Sequence, residues 1–306
     1  MERAVRPGPG KQQEQLDNLL RGILANRARF TVGGEADSSL HTDVVCYRGL
    51  LTTLLATPYE EREGWQLDCV TWRGTTYLCQ VETEQRRRER ERETERQKRM
   101  SSWGYKFEQY CTVSRPGTRP DTAKPVLEAE EFCCLLRTRL AGTSLVYGAE
   151  MDAYRADKEE EGELRPELFT ELKTSREVET QRQDRNFRRF KLLKWWAQSF
   201  LVGTPEILVG WRDDTGLVER LERMAVREIP RAGLDWKPNC CLNFLSELLD
   251  RIRHHCSQDD ISAVYRVAWQ PRAGVTITAA PPQPGPAYFL PDWYTSQVFS
   301  YTKLCK

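Results

Sequence analysis

The sequence has little net charge and no long apolar segment. Its 46 basic and 45 acidic residues leave a formal charge of +1, although charged residues make up 30% of the chain. A nucleic-acid ligand would therefore have to be held by a local basic groove, because the molecule as a whole attracts it weakly. No run of 18 apolar residues and no apolar N-terminal signal region occurs. These absences predict a protein that neither spans a membrane nor enters an oxidising compartment.

Several signatures of metal chelation and hydrolysis are also missing. The ten cysteines contain no CxxC pair, and adjacent residues such as Cys133 and Cys134 are poorly placed to hold one zinc ion together. The run His254-His255-Cys256 lacks chelating spacing as well. No nucleophile elbow, Walker phosphate loop or HExxH helix is present, which argues against those hydrolase and nucleotide-binding classes. We expect reduced thiols in a cytosolic or nuclear protein.

Acidic residues at both ends of the segment 148–173, together with Lys173, follow a pattern typical of two short strands. Alternate side chains of a strand share a face, so Glu150 pairs with Asp152 on one strand and Glu171 with Lys173 on the next. A polar connector at residues 157–166 predicts that the strands pair, which brings three carboxylates and one ammonium onto a single sheet face. Clustered carboxylates favour a hard divalent cation such as magnesium or manganese. The same pattern is typical of a solvated strand, so both interpretations stay open at this point.

A metal ion at this cluster would suit phosphodiester hydrolysis, since it activates water and holds the leaving oxygen. Lys173 follows an acidic ligand by two residues, where its ammonium can offset charge that builds on the phosphate. Glu108 ends an aromatic and apolar stretch and is a candidate fourth carboxylate. Arg48 is the lone charge in a half-buried segment, where it acts either as an ion-pair partner or as a phosphate grip.

We expect an α/β protein with central mixed β-sheets flanked by helices. We expect a flexible tail at residues 1–10 and a single domain over residues 11–306. Residues 65–72 and 75–82 are rich in β-branched and aromatic side chains and predict a hairpin. A helix is predicted for residues 128–140, with its leucines turned inward.

Two further helices are predicted from charge and periodicity. Residues 84–99 contain eight basic and five acidic residues and no apolar ones, which predicts one exposed helix. Its excess of three positive charges suits a solvated face, contact with a nucleic-acid backbone, or a nuclear address. Residues 184–200 predict a long amphipathic helix with Lys191, Lys194 and Gln198 on one face, which is a candidate for phosphate contacts.

The acidic pattern resembles a known nuclease core. An acid followed about twenty residues later by acid-x-Lys is similar to the PD-(D/E)xK motif, with Asp152, Glu171 and Lys173 in the motif positions. More narrowly, six motifs between about Leu16 and Tyr294 resemble, in order and spacing, the DXO family of RNA decapping enzymes and 5′-to-3′ exoribonucleases. These motifs are Asp43-Val-Val-Cys-Tyr-Arg48-Gly, Thr57-Pro-Tyr-Glu-Glu-Arg-Glu-Gly-Trp-Gln-Leu67, Gly104-Tyr-Lys-Phe-Glu-Gln-Tyr110, Glu150-Met-Asp152, Glu171-Leu-Lys-Thr-Ser175 and Lys191-Leu-Leu-Lys-Trp-Trp-Ala-Gln-Ser-Phe-Leu201.

This resemblance implies a metal-dependent hydrolase of RNA 5′ ends. It implies removal of incomplete or non-canonical caps, namely an unmethylated cap, a 5′-triphosphate or an NAD-type cap. Onward 5′-to-3′ degradation would then serve quality control of mRNA 5′ ends. The implied cofactors are two magnesium or manganese ions.

The resemblance also assigns residues to this chemistry. The family's metal ligands fall on Glu108, Glu150, Asp152, Glu171 and the backbone carbonyl of Leu172. The implied catalytic residues are Asp152, Glu171 and Lys173. The implied substrate contacts are Arg48, Glu108, Lys173 and Gln198.

Partners and alternatives complete these expectations. The resemblance implies RNA 5′ ends as substrate, a 5′-3′ exoribonuclease as a partner, no membrane, a monomer, and a nuclear location with the cytoplasm left open. Leucines and an isoleucine at helical spacing between Leu16 and Leu24 predict a helix that begins near Lys11. The family fold has several dozen more residues ahead of this helix, so we expect part of its N-terminal region to be missing. An alternative is a non-catalytic RNA-binding protein that stabilises a processive exoribonuclease. DNA also stays open as a substrate, since the core motif does not read the 2′-hydroxyl.

Overall fold

The structure is a computed structural model that describes residues 15–30, 40–128, 130–155, 164–231, 234–280 and 290–299. The tail expected at residues 1–10 and most of the connector expected at residues 157–166 lie outside these ranges. The strands of the described ranges are β1 (Val44–Tyr47), β2 (Trp65–Trp72), β3 (Thr75–Val81), β4 (Cys133–Leu140), β5 (Thr143–Glu150), β6 (Ala153–Tyr154), β7 (Phe169–Arg176), β8 (Glu206–Arg212), β9 (Val218–Ala225), β10 (Tyr265–Gln270) and β11 (Gly274–Ala279). The α-helices are α1 (Asp17–Ala25), α2 (Arg27–Phe30), α3 (Arg48–Ala56), α4 (Glu84–Glu91), α5 (Glu95–Cys111), α6 (Gln181–Asn186), α7 (Leu193–Val202), α8 (Pro238–His255) and α9 (Asp292–Phe299).

These elements belong to two units, each built around one sheet. The described residues of the ranges 12–86, 135–149 and 239–306 form the seven-strand unit, and those of 87–134 and 150–238 form the four-strand unit. The seven-stranded sheet has the order β11-β10-β2-β3-β1-β5-β4, and the four-stranded sheet has the order β6-β7-β8-β9. Both sheets mix parallel and antiparallel pairs, which confirms the predicted α/β class with mixed sheets. The single domain over residues 11–306 stays a prediction.

The predicted hairpin is present in the seven-strand unit. Strands β2 and β3 pair antiparallel, with Trp72 opposite Thr75. The two turn residues between them, Arg73 and Gly74, both have positive φ angles, of 50° and 74°. Positive φ at both central residues matches the right-handed twist of the flanking strands, so this turn closes the hairpin without splaying it.

The helix predicted for residues 128–140 is wrong, because β4 occupies Cys133–Leu140. This segment is the edge strand next to the buried strand β5. The turn between the two strands places Ala141 at a φ of 49°. Leucines spaced four apart suit a helix, but pairing with a neighbouring strand overrides such a weak local preference.

One long helical segment joins β7 to the parallel strand β8. It starts at α6 with a capping box between Thr180 and Gln183 and ends after α7 at Gly203, whose φ is 75°. The helix predicted over residues 184–200 is confirmed, with one addition. Residues Phe187–Leu192 form a π-helical turn between α6 and α7, a feature that often marks functional sites.

The charged stretch at residues 84–99 forms two helices rather than one. Helix α4 ends at Glu91, and α5 begins after Thr94, whose side chain accepts a hydrogen bond from the Gln97 N–H. This capping box starts a new helix because it satisfies the otherwise unpaired N–H groups of a first turn.

No helix in the described part of the chain has the length and apolar character that crossing a bilayer requires.

Helix α5 packs closely on β8 in the four-strand unit. A Cβ atom added at Gly210 would lie 2.7 Å from Cε2 of Phe107, so glycine alone admits the aromatic ring at this position. Phe107 is 7% exposed. The contact fixes the last turns of α5 against the sheet, and with them the next residue, Glu108.

Candidate active site

Glu171 and Lys173 lie on one face of β7, as their spacing predicts. The Lys173 ammonium forms an ion pair with the Glu171 carboxylate, and its Nζ lies 3.9 Å from Oδ2 of Asp152. Glu171 is 1% exposed. A buried carboxylate is costly unless a cation or hydrogen bonds compensate it. Lys173 therefore neutralises part of the charge at this position.

Asp152 reaches the cluster from the edge of the sheet. Strand β6 is only two residues long and pairs with β7 through Ala153 and Tyr154. Just before it, Oδ2 of Asp152 accepts the Leu172 N–H at 2.8 Å, where a longer β6 would have supplied a backbone acceptor. The N–H and C=O of a strand residue point to the same side, so we expect the Leu172 carbonyl to face this edge as well.

The prediction that Glu150, Asp152 and Glu171 lie on one face of two paired strands is therefore wrong. Glu150 is the last residue of β5, which belongs to the seven-stranded sheet, and its side chain is exposed. Asp152 lies outside the strands, and only Glu171 and Lys173 share a strand face. Asp152 and Glu171 approach each other at the edge of β7, rather than on a face shared by two long strands.

The electrostatics of Glu108 show that the four carboxylates are near one another. The pKa of Glu108 is raised from 4.5 to about 7, first by burial and then by the charges of Asp152, Glu150 and Glu171, while Lys173 opposes this rise. The pKa of Asp152 rises from 3.8 to about 6, first through burial and then through Glu171; Lys173 and the Leu172 N–H act against this rise. Like charges share a site here that one ammonium neutralises only in part.

The donor set fits a hard divalent cation. Magnesium, manganese and calcium take oxygen ligands, and this cluster offers carboxylate oxygens. Within the described ranges, no three His, Cys, Asp or Glu side chains meet at ion-coordinating distance as they stand, and the Lys173 ammonium contacts both Glu171 and Asp152. A bound cation would relieve the repulsion that raises the pKa of Glu108 and Asp152.

Gln198 lies two turns beyond Lys191 on the helical crossover. The Lys191 ammonium donates to Oγ of Ser175 at 3.2 Å, and Ser175 shares its face of β7 with Glu171 and Lys173. A crossover between parallel strands runs antiparallel to them. From Lys191 to Gln198 the helix rises by about 10 Å, and from Ser175 back to Glu171 the strand spans about 13 Å. The topology therefore returns Gln198 to the level of Glu171 and Lys173.

Arg48 belongs to the seven-strand unit, where it begins α3 and is 5% exposed. An arginine so deeply buried has partners that its burial requires. Its contact with substrate stays a prediction, because the other residues of the predicted site lie in the four-strand unit.

Two residues near the cluster were not among the predicted site residues. Tyr105 is half-buried, and burial together with the charges of Glu150 and Glu108 raises the pKa of its hydroxyl. It precedes Glu108 by three residues on α5, and this spacing on one helix face is the signal that could have found it. The second residue is Ser175, whose hydroxyl oxygen accepts a hydrogen bond from the Lys191 ammonium.

Taken together, the mixed sheets and the acidic cluster are those expected of a nuclease with a PD-(D/E)XK core; that Asp152, Glu171 and Lys173 fill its motif positions stays a prediction. A family model described as RAI1 like PD-(D/E)XK nuclease matches residues 3–295. The chain belongs to this family.

Named relatives are consistent with this membership. The chain is 38% identical over 296 residues to the decapping and exoribonuclease protein of Bos taurus, covering 95% of this chain and 73% of that protein. The crystal structure of Rai1 from Scheffersomyces stipitis superposes with a TM-score of 0.79 at 25% identity, covering 92% of this chain and 80% of that one. Rai1 from Candida albicans, solved in complex with pU5 and Mn²⁺, has a TM-score of 0.75 at 22% identity, with coverages of 90% and 77%.

Proposed function

We propose that this chain hydrolyses the 5′ ends of RNA, removing unmethylated caps, 5′-triphosphates and NAD-type caps and then degrading the RNA 5′ to 3′. The observation that carries the proposal is the cluster of Glu108, Glu150, Asp152 and Glu171 around Lys173. The name of the bovine relative and the pU5 and Mn²⁺ held by the Candida albicans relative support it.

Glu108, Glu150, Asp152 and Glu171 hold two magnesium or manganese ions in this proposal, together with the Leu172 carbonyl. When bound, these ions supply Lewis-acid activation of water and stabilisation of the leaving oxygen. The protein itself holds the metal-binding carboxylates in fixed positions. The Leu172 N–H fixes the Asp152 carboxylate against the edge of β7, and the Phe107 contact with Gly210 fixes Glu108. Rigid placement of this kind lets a site act without reorganising during the reaction.

Lys173 and the flanking polar residues handle the phosphate. The Lys173 ammonium, 20% exposed at its side chain, offsets negative charge that develops on the scissile phosphate. Gln198 and Arg48 orient the RNA backbone through hydrogen bonds, a task for which the planar guanidinium is well shaped. Partnership with a 5′-3′ exoribonuclease, a monomeric state and a nuclear location accompany the proposal as predictions that the motifs imply.

A panel of RNAs tests this proposal. RNAs bearing a 5′-triphosphate, a methylated cap, an unmethylated cap or an NAD cap are incubated with the protein and Mn²⁺, and the released 5′ fragments are identified by mass spectrometry. We expect metal-dependent release of a 5′ fragment from at least one non-canonical end, followed by 5′-to-3′ shortening. If no RNA is cut with metal present, the proposal is contradicted and the non-catalytic alternative is favoured. An equal rate on matched DNA would contradict the assignment of RNA as the substrate.

A further inference from the structure

The first turns of α5 line a cavity away from the acidic cluster. The cavity measures about 460 Å³, and its walls are formed by Arg96, Arg99, Trp103, Asp214 and Thr215. All five residues belong to the four-strand unit. The cavity lies where the positively charged stretch at residues 84–99 meets the turn between β8 and β9.

Two arginines of this cavity lack acidic partners. Arg96 and Arg99 are three residues apart on α5, so they project from the same helix face. Both are exposed, and neither forms an ion pair with any residue that the structure describes. Nearby Lys98, by contrast, pairs with Glu95 at 2.8 Å. Two unpaired guanidinium groups at one cavity wall are suited to binding an anion.

A third arginine adds positive charge behind them. The guanidinium of Arg212 lies 4.4 Å from the centre of the Trp103 ring, and its Nε is buried without a hydrogen-bond acceptor. Burial lowers the pKa of Arg212; the charges of Asp214 and Asp213 oppose this shift, and the smaller effect of Arg176 adds to it. The pKa of Lys191 is likewise lowered by burial and then by Arg212. Like charges have been gathered here at an electrostatic cost.

The nearby carboxylates balance only part of this charge. Asp214 forms an ion pair with Arg176 at 3.0 Å. Asp213 caps its own turn, where its carboxylate accepts hydrogen bonds from Thr215 and Leu217. Arg176 and Lys191 lie near Arg212, and Asp213 and Asp214 oppose the lowered pKa of Arg212 only in part.

We propose that this cavity, walled by Arg96, Arg99 and Trp103, is a second RNA-binding site that holds backbone phosphates downstream of the 5′ end. The proposal rests on the proposed function, which makes RNA the ligand. Trp103 and Glu108 are five residues apart on α5, a rise of about 7 Å. The two side chains project about 140° apart around the helix axis, so an RNA seated at the acidic cluster would pass around α5 to reach the cavity. Arginine forks match phosphate geometry, and the Trp103 ring supplies an apolar wall for a sugar or base.

The test compares charge reversal at the cavity with charge reversal elsewhere on the same charged stretch. The double variant Arg96→Glu/Arg99→Glu is matched by Arg88→Glu/Arg92→Glu, two exposed arginines that do not line the cavity. Binding of a fluorescent single-stranded RNA of about twenty nucleotides and of a trinucleotide is measured with chelator present, at several salt concentrations.

We expect the cavity variant to bind the long RNA roughly tenfold more weakly, and the slope of log affinity against log salt to fall by about 1.4, because two phosphate contacts are lost. The trinucleotide should bind equally to all three proteins. Unchanged affinity for the long RNA, an equal loss in the matched variant, or an equal loss for the trinucleotide would each overturn the proposal. Since binding is measured without metal, a parent that binds RNA through the cavity but hydrolyses none would contradict only the proposed function.

Discussion

Glu171→Gln is expected to lower kcat for RNA 5′-end hydrolysis by about a thousandfold or more. Glu171 is the most deeply buried carboxylate of the cluster, and its side chain pairs directly with Lys173. The amide has nearly the same shape but carries no charge, so it weakens cation binding and removes the partner of the ammonium. The rate is measured under single-turnover conditions with saturating Mn²⁺, on the RNA that the parent cuts fastest.

The matched control for this substitution is Glu179→Gln, which changes an exposed glutamate a few residues beyond β7. It should leave the rate within about twofold of the parent, because surface substitutions away from a site have small effects. Circular dichroism and thermal melting establish that both variants are folded. A Glu171→Gln protein that is folded and retains a tenth of the parental rate would contradict the assignment of Glu171.

Lys173→Met is expected to destabilise the metal-free protein by about 3 kcal/mol near pH 8, because breaking a buried ion pair leaves an uncompensated charge. The side chain of Lys173 is 20% exposed, and the Glu171 side chain is fully buried. Hydrolysis should also fall, by about a hundredfold, since the cation that faces the phosphate is gone. Urea denaturation of chelator-treated protein gives the free energy of unfolding.

The pH dependence separates this account from a simple packing defect. Lys173 holds down the pKa of both Glu108 and Asp152, so its removal raises these folded-state values further above 4.5 and 3.8. The folded protein then binds more protons than the unfolded chain, and stability is lost as pH rises through that window. The defect should therefore be larger near pH 8 than near pH 5, and Mn²⁺ should reduce it. Lys98→Met, at an exposed pair, should show no such pH dependence; a pH-independent defect at Lys173 would indicate packing alone.

The sequence predicts those parts of the site that depend on strand periodicity. Glu171 and Lys173 share a face because side chains alternate along any strand, and this holds whatever the partners of β7 are. The hairpin of β2 and β3 can also be predicted from a short stretch of sequence, since the residues Arg73-Gly74 favour a tight turn. Such features need no knowledge of distant contacts.

The remaining features depend on long-range partners. Residues Cys133–Leu140 form a strand because they pair through backbone hydrogen bonds with β5. The spacing of their leucines does not predict this pairing. Asp152 reaches β7 because β6 is too short to pair with Leu172. No local pattern sets the length of β6. The cavity at Arg96 and Arg99 likewise forms only where α5 meets the turn after β8.

The central claim is that Glu108, Asp152 and Glu171 form a divalent-cation site, and a calorimetric titration of Mn²⁺ into metal-free protein tests it most directly. Cation binding must displace the protons that Glu108 and Asp152 hold at their raised pKa values of about 7 and about 6. We predict binding that is about tenfold tighter near pH 8 than near pH 6, with proton release. Glu171→Gln and Asp152→Asn should each weaken it at least about tenfold. Equal Mn²⁺ affinity in the parent and both variants, or no binding by the parent at either pH, would contradict the account.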